Sequence, residues 1–261
     1  MERKRIQPDL NCVPAQFRPL FEDAAVYDSS CSAVARVLFI DKEDGYYLKS
    51  APAGSLKREA VMTDWFHRKG LAAEVLAYTQ EKRDWLLTRR LPGEDCICKA
   101  YLEQPERLCD ILGEQLRCLH ELGGVDCPGK DKMDEYIALA ETNYRSGSYD
   151  ASQFPDSFGY ASAEEAWQEI QRNGHLLQRD TVLHGDYCLP NIMLHDWKFA
   201  GFIDVDHGGL GDRHIDLFWG AWSLGFNLKT DRYRQRFFDA YGRDQIELER
   251  LRTVAAFEVF G

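Results

Sequence analysis

The chain has 261 residues, 44% of them apolar, with 43 Asp and Glu against 32 Lys and Arg and a formal net charge of −11. That length allows one large domain or two unequal lobes around a cleft, and the acidic balance argues against a nucleic-acid partner, whose phosphates it would repel, while favouring a cationic one. No uninterrupted apolar run reaches the roughly 18 residues of a membrane span, and the opening MERKRIQPDLNC lacks the apolar core of a signal peptide, so a cytoplasmic protein without a membrane partner is expected.

The eight cysteines form no C-x-x-C pair and no His cluster at zinc spacing, which predicts reduced thiols. In chain order, a turn at residues 28–33 precedes the segments VARVLFI and GYYLKS, each short, rich in β-branched or aromatic residues and bounded by turn formers. LKREAVMTDWFHRKG follows, with Val61, Met62, Trp65 and Phe66 at helical spacing and Gly70 as its stop. VLAYTQ and DWLLTRR complete the pattern of a small antiparallel sheet. The turn-forming run Leu91-Pro92-Gly93-Glu94 marks a connector, giving a first lobe at 1–91 and a second at 92–261. Beyond it, Leu108, Ile111, Leu112, Leu116 and Leu119 predict a packed amphipathic helix ended by a Gly-Gly pair. The rest alternates helices with short strands, includes a helix in DRHIDLFWGAWSL, and closes in a helix over about 244–260. The class is α+β.

The chemistry concentrates in TVLHGDYCLPNIMLHDWKFAGFIDVDHG, where Asn191 follows Asp186 by five positions and Asp204 lies thirteen further on. Protein kinases use the related run H-R-D-x-x-x-x-N followed by a magnesium-holding aspartate. A carboxylate within reach of a substrate hydroxyl orients it and takes its proton, which suits Asp186. Asn191 and Asp204 offer the oxygen ligands that magnesium prefers, and Asp206 reads as a turn acid. His184 reads as a loop-orienting histidine, Asp212 as a helix cap, and Asp216 as a brace for the loop. In the first lobe Lys49 ends a strand and can hold nucleotide phosphates, with Glu59 as its ion-pair partner. Ser30 and Ser32 either help to cradle phosphates or close an ordinary hairpin; the turn has no G-x-G-x-x-G and no Walker lysine.

With these residues in place, the chain resembles the aminoglycoside 3′-phosphotransferases, antibiotic kinases with a bilobal protein-kinase-like fold. HGDYCLPNIM, FAGFIDVDHGGLGDRHIDL, RDWLLTRRLPGED and LHELGGVDCP carry the resemblance, which extends over essentially the whole chain. It implies Asp186 as catalytic base, Asn191 and Asp204 as Mg2+ ligands, and Lys49 with Glu59 as the phosphate-holding pair. It also implies ATP or GTP as donor, with residues 89–95 passing the base, so that Arg89 and Leu91 become nucleotide contacts. Asp150, Asp156, His207 and Glu258 are the implied acceptor contacts, His207 standing where the family often has arginine. Ser157 and Phe158 occupy positions where family members often carry acids. The family's D-E-hydrophobic-Phe ending appears as Phe257-Glu258-Val259-Phe260-Gly261, which replaces one acid and moves the terminal carboxylate out by one residue. The phosphoryl-transfer residues are intact and the acceptor is less determined. A kinase of choline, an amino sugar or a macrolide, or a nucleotide-binding module without catalysis, are the alternatives.

Overall fold

The computed structural model describes residues 4–31, 34–149 and 158–261. The chain forms two compact units, Met1–Gly93 with Ala200–Asp206, and Glu94–Phe199 with His207–Gly261. The first unit thus exceeds the 1–91 read from the sequence by residues 92–93 and by residues 200–206, which return to it. The return has a packing cause: Phe202 donates its N–H to the Leu71 carbonyl at 2.7 Å, bridges Ala72, and sets its buried ring edge-on to Phe66.

In the first unit β1 (Lys4–Ile6), β2 (Ala25–Asp28), β3 (Arg36–Asp41), β4 (Tyr46–Pro52), β5 (Val75–Gln80) and β6 (Arg83–Arg89) make an antiparallel sheet in the order β1-β2-β3-β4-β6-β5. Strand alternation explains its two faces. Val26, Leu38, Ile40, Leu48, Trp85 and Leu87 point into a core with Phe17 and Phe21. Lys49, one residue past Leu48, therefore belongs to the opposite face, as does Leu86 opposite it in register. That face is covered by α1 (Lys57–Arg68), which buries Glu59, Met62 and Phe66 at i, i+3 and i+7 and ends at Gly70, φ 75°. β1 and β2 have no counterpart in the sequence reading: Lys4 and Arg5 are exposed, and the strands are held by pairing, β2 onto β3 and β1 onto β2, rather than by an apolar pattern of their own.

The second unit contains β7 (Glu94–Asp95), α2 (Lys99–Leu102), α3 (Pro105–His120), α4 (Lys132–Ser146), α5 (Ala163–Asn173), β8 (Thr181–Leu183), β9 (Ile192–His195), the start of β10 (Lys198–Phe202), β11 (Gly209–Gly211), α6 (His214–Leu228), α7 (Arg234–Tyr241) and α8 (Leu248–Glu258). β8 and β11 pair antiparallel, Leu183 opposite Gly209. Tyr160, Ala166, Leu183, Ile215, Phe257 and Phe260 lie in its core. The last helix is shorter than the 244–260 expected, because Gly242 at φ 112° and a separate turn at Arg243–Gln245 precede it. Instead of joining the helix, Glu247 gives its N–H to His214 Nε2 at 2.9 Å. Among the described residues no helix is long and apolar enough to cross a membrane. The α+β class read from the sequence is the class observed.

Candidate active site

In the first unit, Lys49 Nζ lies 2.8 Å from Glu59 Oε2 and 2.8 Å from Asp204 Oδ1. Burial disfavours the ammonium, but Asp204 and Glu59 outweigh it and hold the lysine above its ordinary pKa. One ammonium thus faces two carboxylates, and the surplus acid is the buried one. Burial pushes Glu59 up to about 7, opposed by Lys49 and reinforced by Asp204 and Asp206. Asp204 follows the buried Phe202 and sits at φ 52°, a left-handed conformation costly for a side chain with Cβ. Its side chain is half exposed, so one oxygen is engaged by Lys49 and the group still reaches solvent.

In the second unit, His184, Asp186 and Asn191 lie in the loop between β8 and β9. Asn191 Nδ2 donates to Asp186 Oδ2 at 2.8 Å and to the Asp186 carbonyl at 3.1 Å. With its NH2 spent on Asp186, the Asn191 amide turns its oxygen the other way. The Asp186 N–H donates to His184 Nδ1 at 3.3 Å, so the buried His184 helps to orient the loop. Asp216, fully buried on α6, accepts from the N–H groups of His184 at 2.7 Å and Gly185 at 2.8 Å. His120 lies 3.1 Å from the same carboxylate and 2.8 Å from the Tyr241 hydroxyl. Burial keeps its pKa low despite Asp216, so it donates through Nε2 as a neutral ring. Gly185 has φ 83°, and a Cβ there would lie 2.0 Å from the His207 carbonyl oxygen. The backbone of the loop is therefore locked from two sides.

Glu258 is 7% exposed and accepts from the Tyr136 hydroxyl at 2.7 Å. Burial pushes it up to about 7, while Tyr136, Lys132 and the Trp219 indole pull the other way and the charge of Asp186 adds to the push. The charge of Asp186 thus reaches Glu258 across the second unit. His207 is exposed and meets the loop through its backbone at Gly185. Asp212 acts as a junction, accepting from Gln178 N–H and from the His214 N–H and Nδ1.

Other residues singled out in the sequence have plainer surroundings. Ser30 Oγ accepts the Val37 N–H at 3.0 Å, and its own N–H goes to Asp28, so it closes the β2–β3 hairpin. Arg89 pairs with Glu74 at 2.6 Å. Leu91 packs against Gly201, where a Cβ would fall 2.8 Å from its methyl. Ser32, Asp150 and Asp156 lie outside the described residues. Tyr136, Trp219 and Ser223 were not singled out, although Ser223 Oγ receives the Leu189 N–H at 3.0 Å and fixes the loop to α6. Only the helical spacing from Asp216 to Ser223 carried a trace of that contact.

Asn191 in the second unit carries an amide oxygen and Asp204 in the first a carboxylate, each by itself a ligand type that hard divalent cations accept. Among the described residues, no three His, Cys, Asp or Glu side chains are placed to hold a metal by themselves. Magnesium in nucleotide sites takes much of its shell from phosphate and water oxygens and so needs few protein ligands.

A half-buried strand lysine paired with a helix glutamate, and an aspartate held by the asparagine five residues on, are features that kinase-type phosphoryl-transfer enzymes share. The model of the phosphotransferase enzyme family APH matches residues 32–254, and the chain belongs to that family. It is 48% identical, over 99% of its length and 98% of the relative's, to a probable aminoglycoside 3′-phosphotransferase of Lactococcus lactis subsp. lactis (strain IL1403). Its fold is similar to the crystal structure of aminoglycoside-3′-phosphotransferase of type VIII, with a TM-score of 0.72, 22% identity, and coverage of 99% of this chain and 94% of that one. It is also similar to APH(3″)-Id from Streptomyces rimosus in complex with ADP and streptomycin, with a TM-score of 0.64, 22% identity, and 90% of each chain covered.

Proposed function

We propose that this protein is a kinase that transfers the γ-phosphate of ATP or GTP to the 3′-hydroxyl of an aminoglycoside, and that this modification confers resistance to the drug. The observation that carries the reading is the Asp186 carboxylate, fixed by Asn191 at 2.8 Å in a loop whose backbone is anchored to Asp216. The 48% identity to a probable aminoglycoside 3′-phosphotransferase over nearly the full length supports the acceptor class and the position. The likeness to a fold that holds ADP supports a nucleotide donor.

The residues divide the work. Lys49, kept charged by its two carboxylates, holds donor phosphate oxygens, and Glu59 fixes the lysine in place. Asp186 orients the acceptor hydroxyl and takes its proton as the oxygen bonds to phosphorus and the nucleoside diphosphate leaves. Asn191 and Asp204 would hold Mg2+, which neutralises phosphate charge when bound. Glu258 attracts an acceptor amine, joined in that role by Asp150 and Asp156; His207 is the remaining acceptor contact. Ser32, Arg89 and Leu91 stand as nucleotide-side contacts, whereas the Ser30 hydroxyl is already committed to its hairpin.

The test is a screen of purified protein against aminoglycosides, choline, amino sugars and macrolides, with product mass and phosphorylated position determined. A 3′-phosphorylated aminoglycoside formed by the wild type and lost in Asp186→Ala is the expected result. Nucleotide consumption with only the other acceptors overturns the substrate, and unchanged turnover in Asp186→Ala overturns the mechanism.

A further inference from the structure

α6 does two things at once. Through Asp216 and Ser223 it anchors the loop that carries Asp186. On the adjoining face, at spacings of three and four residues, it carries Trp219, Trp222 and Phe226, which lie in one row on a helix. The rings touch in sequence: Trp219 meets Trp222 edge-on with centroids 5.5 Å apart, and Trp222 stacks on Phe226 at 5.1 Å. Neither tryptophan is fully buried, and Phe226 is 56% exposed.

Such a row on a soluble protein calls for an occupant, and its two ends indicate which. The inner end is continuous with the acceptor side, since Trp219 packs against the core that includes Phe257 and Val259, the neighbours of Glu258 on either side. At the outer end a cation already rests on the row: Lys229 Nζ lies 4.1 Å from the Phe226 ring centroid. Aromatic faces carry negative charge density and attract ammonium groups. A ring system bearing several amines matches both ends, one amine at the Glu258 carboxylate and others against the indole faces. We infer that Trp219, Trp222 and Phe226 form an aromatic wall that receives the ammonium-bearing rings of the acceptor and extends its site outward from Glu258. The wall supplies with π faces what a carboxylate cluster would supply with charge. Lys229 is its internal competitor, to be displaced when the acceptor spreads over Phe226.

This inference rests on the aminoglycoside reading, and its test separates the two. Initial rates against aminoglycoside concentration are measured for the wild type, Trp222→Leu, Trp222→Phe and Lys229→Gln. Leucine keeps the apolar bulk and removes the ring, so KM rises about tenfold, whereas phenylalanine raises it only about twofold. Lys229→Gln frees the Phe226 face and lowers KM a few-fold; being a surface change, it reports even if a tryptophan variant fails to fold. If leucine and phenylalanine variants share one KM, or if Lys229→Gln leaves KM unmoved, the wall is overturned while wild-type turnover leaves the enzyme reading standing. Absence of wild-type turnover on every aminoglycoside overturns that reading and the occupant with it.

Discussion

Asn191 holds Asp186 twice, once at the carboxylate and once at the carbonyl of the same residue. The double contact ties the direction of a reactive side chain to the path of its own backbone. Asn191→Ala removes both donors, and kcat is expected to fall about a hundredfold or more, the usual loss when a positioned acid or base is set free. Asn191→Asp is expected to do worse, since it adds a second carboxylate against the first. Steady-state rates for both variants, with folding checked by circular dichroism, decide the point.

Gly185 provides a sharper test of the same loop. A residue that only needs a positive φ tolerates asparagine, but here a Cβ meets the His207 carbonyl at 2.0 Å. Gly185→Ala and Gly185→Asn are therefore both expected to lose more than about 2 kcal/mol of stability and nearly all activity. Full rescue by asparagine in thermal melts and rate assays contradicts the steric account.

Lys49→Met leaves Glu59 buried opposite a methyl group. The carboxyl, already pushed up to about 7 by burial, then takes a proton or destabilises the fold. The single variant is expected to lose on the order of 1–3 kcal/mol at pH 8. The double variant Lys49→Met/Glu59→Gln is expected to recover most of that stability and none of the activity. Urea unfolding at pH 8, read beside turnover, separates the structural share of the pair from its catalytic share.

Glu258 makes stability depend on pH. Its folded pKa, raised by burial from 4.5 to about 7, means that the folded protein keeps a proton the unfolded chain has released between those values. The stabilisation is complete below about 4.5 and lost as pH rises through about 7, on the order of 3 kcal/mol at most. The thermal midpoint is expected to drop between pH 5 and pH 8 in the wild type, with a smaller drop in Glu258→Gln. A cationic acceptor favours the ionised form, so its protection against melting is expected to grow over the same interval, and a flat response excludes Glu258 as its partner.

Contacts confined to one element or one short loop were legible in the sequence. The alternation in β4 sets Lys49 opposite the face of Leu48, and the helical spacing of Glu59, Met62 and Phe66 turns the glutamate inward. The interval from Asp186 to Asn191 is short enough for a turn to bring them together. β1 and β2 were not legible, because three or four largely uncovered residues carry no pattern until β3 supplies a partner for β2, and β2 one for β1. The surroundings of Glu258 were hidden for a related reason: Tyr136, Lys132 and Trp219 come from α4 and α6, and no periodicity links them to α8. Likewise the return of residues 200–206 to the first unit is a matter of Phe202 meeting Phe66, Leu71 and Ala72, residues distant along the chain.

That return has a consequence for synthesis. A ribosome that has released the first 93 residues has released six strands and a helix, with Glu59 beside Lys49 but Asp204 still unmade. The first unit can assemble its sheet early, yet it finishes only after residue 206 clears the exit tunnel, when most of the second unit's sequence has also emerged. Nascent chains stalled before that point should present the Phe66 side of α1 uncovered, an exposed apolar face of the kind that holding chaperones recognise.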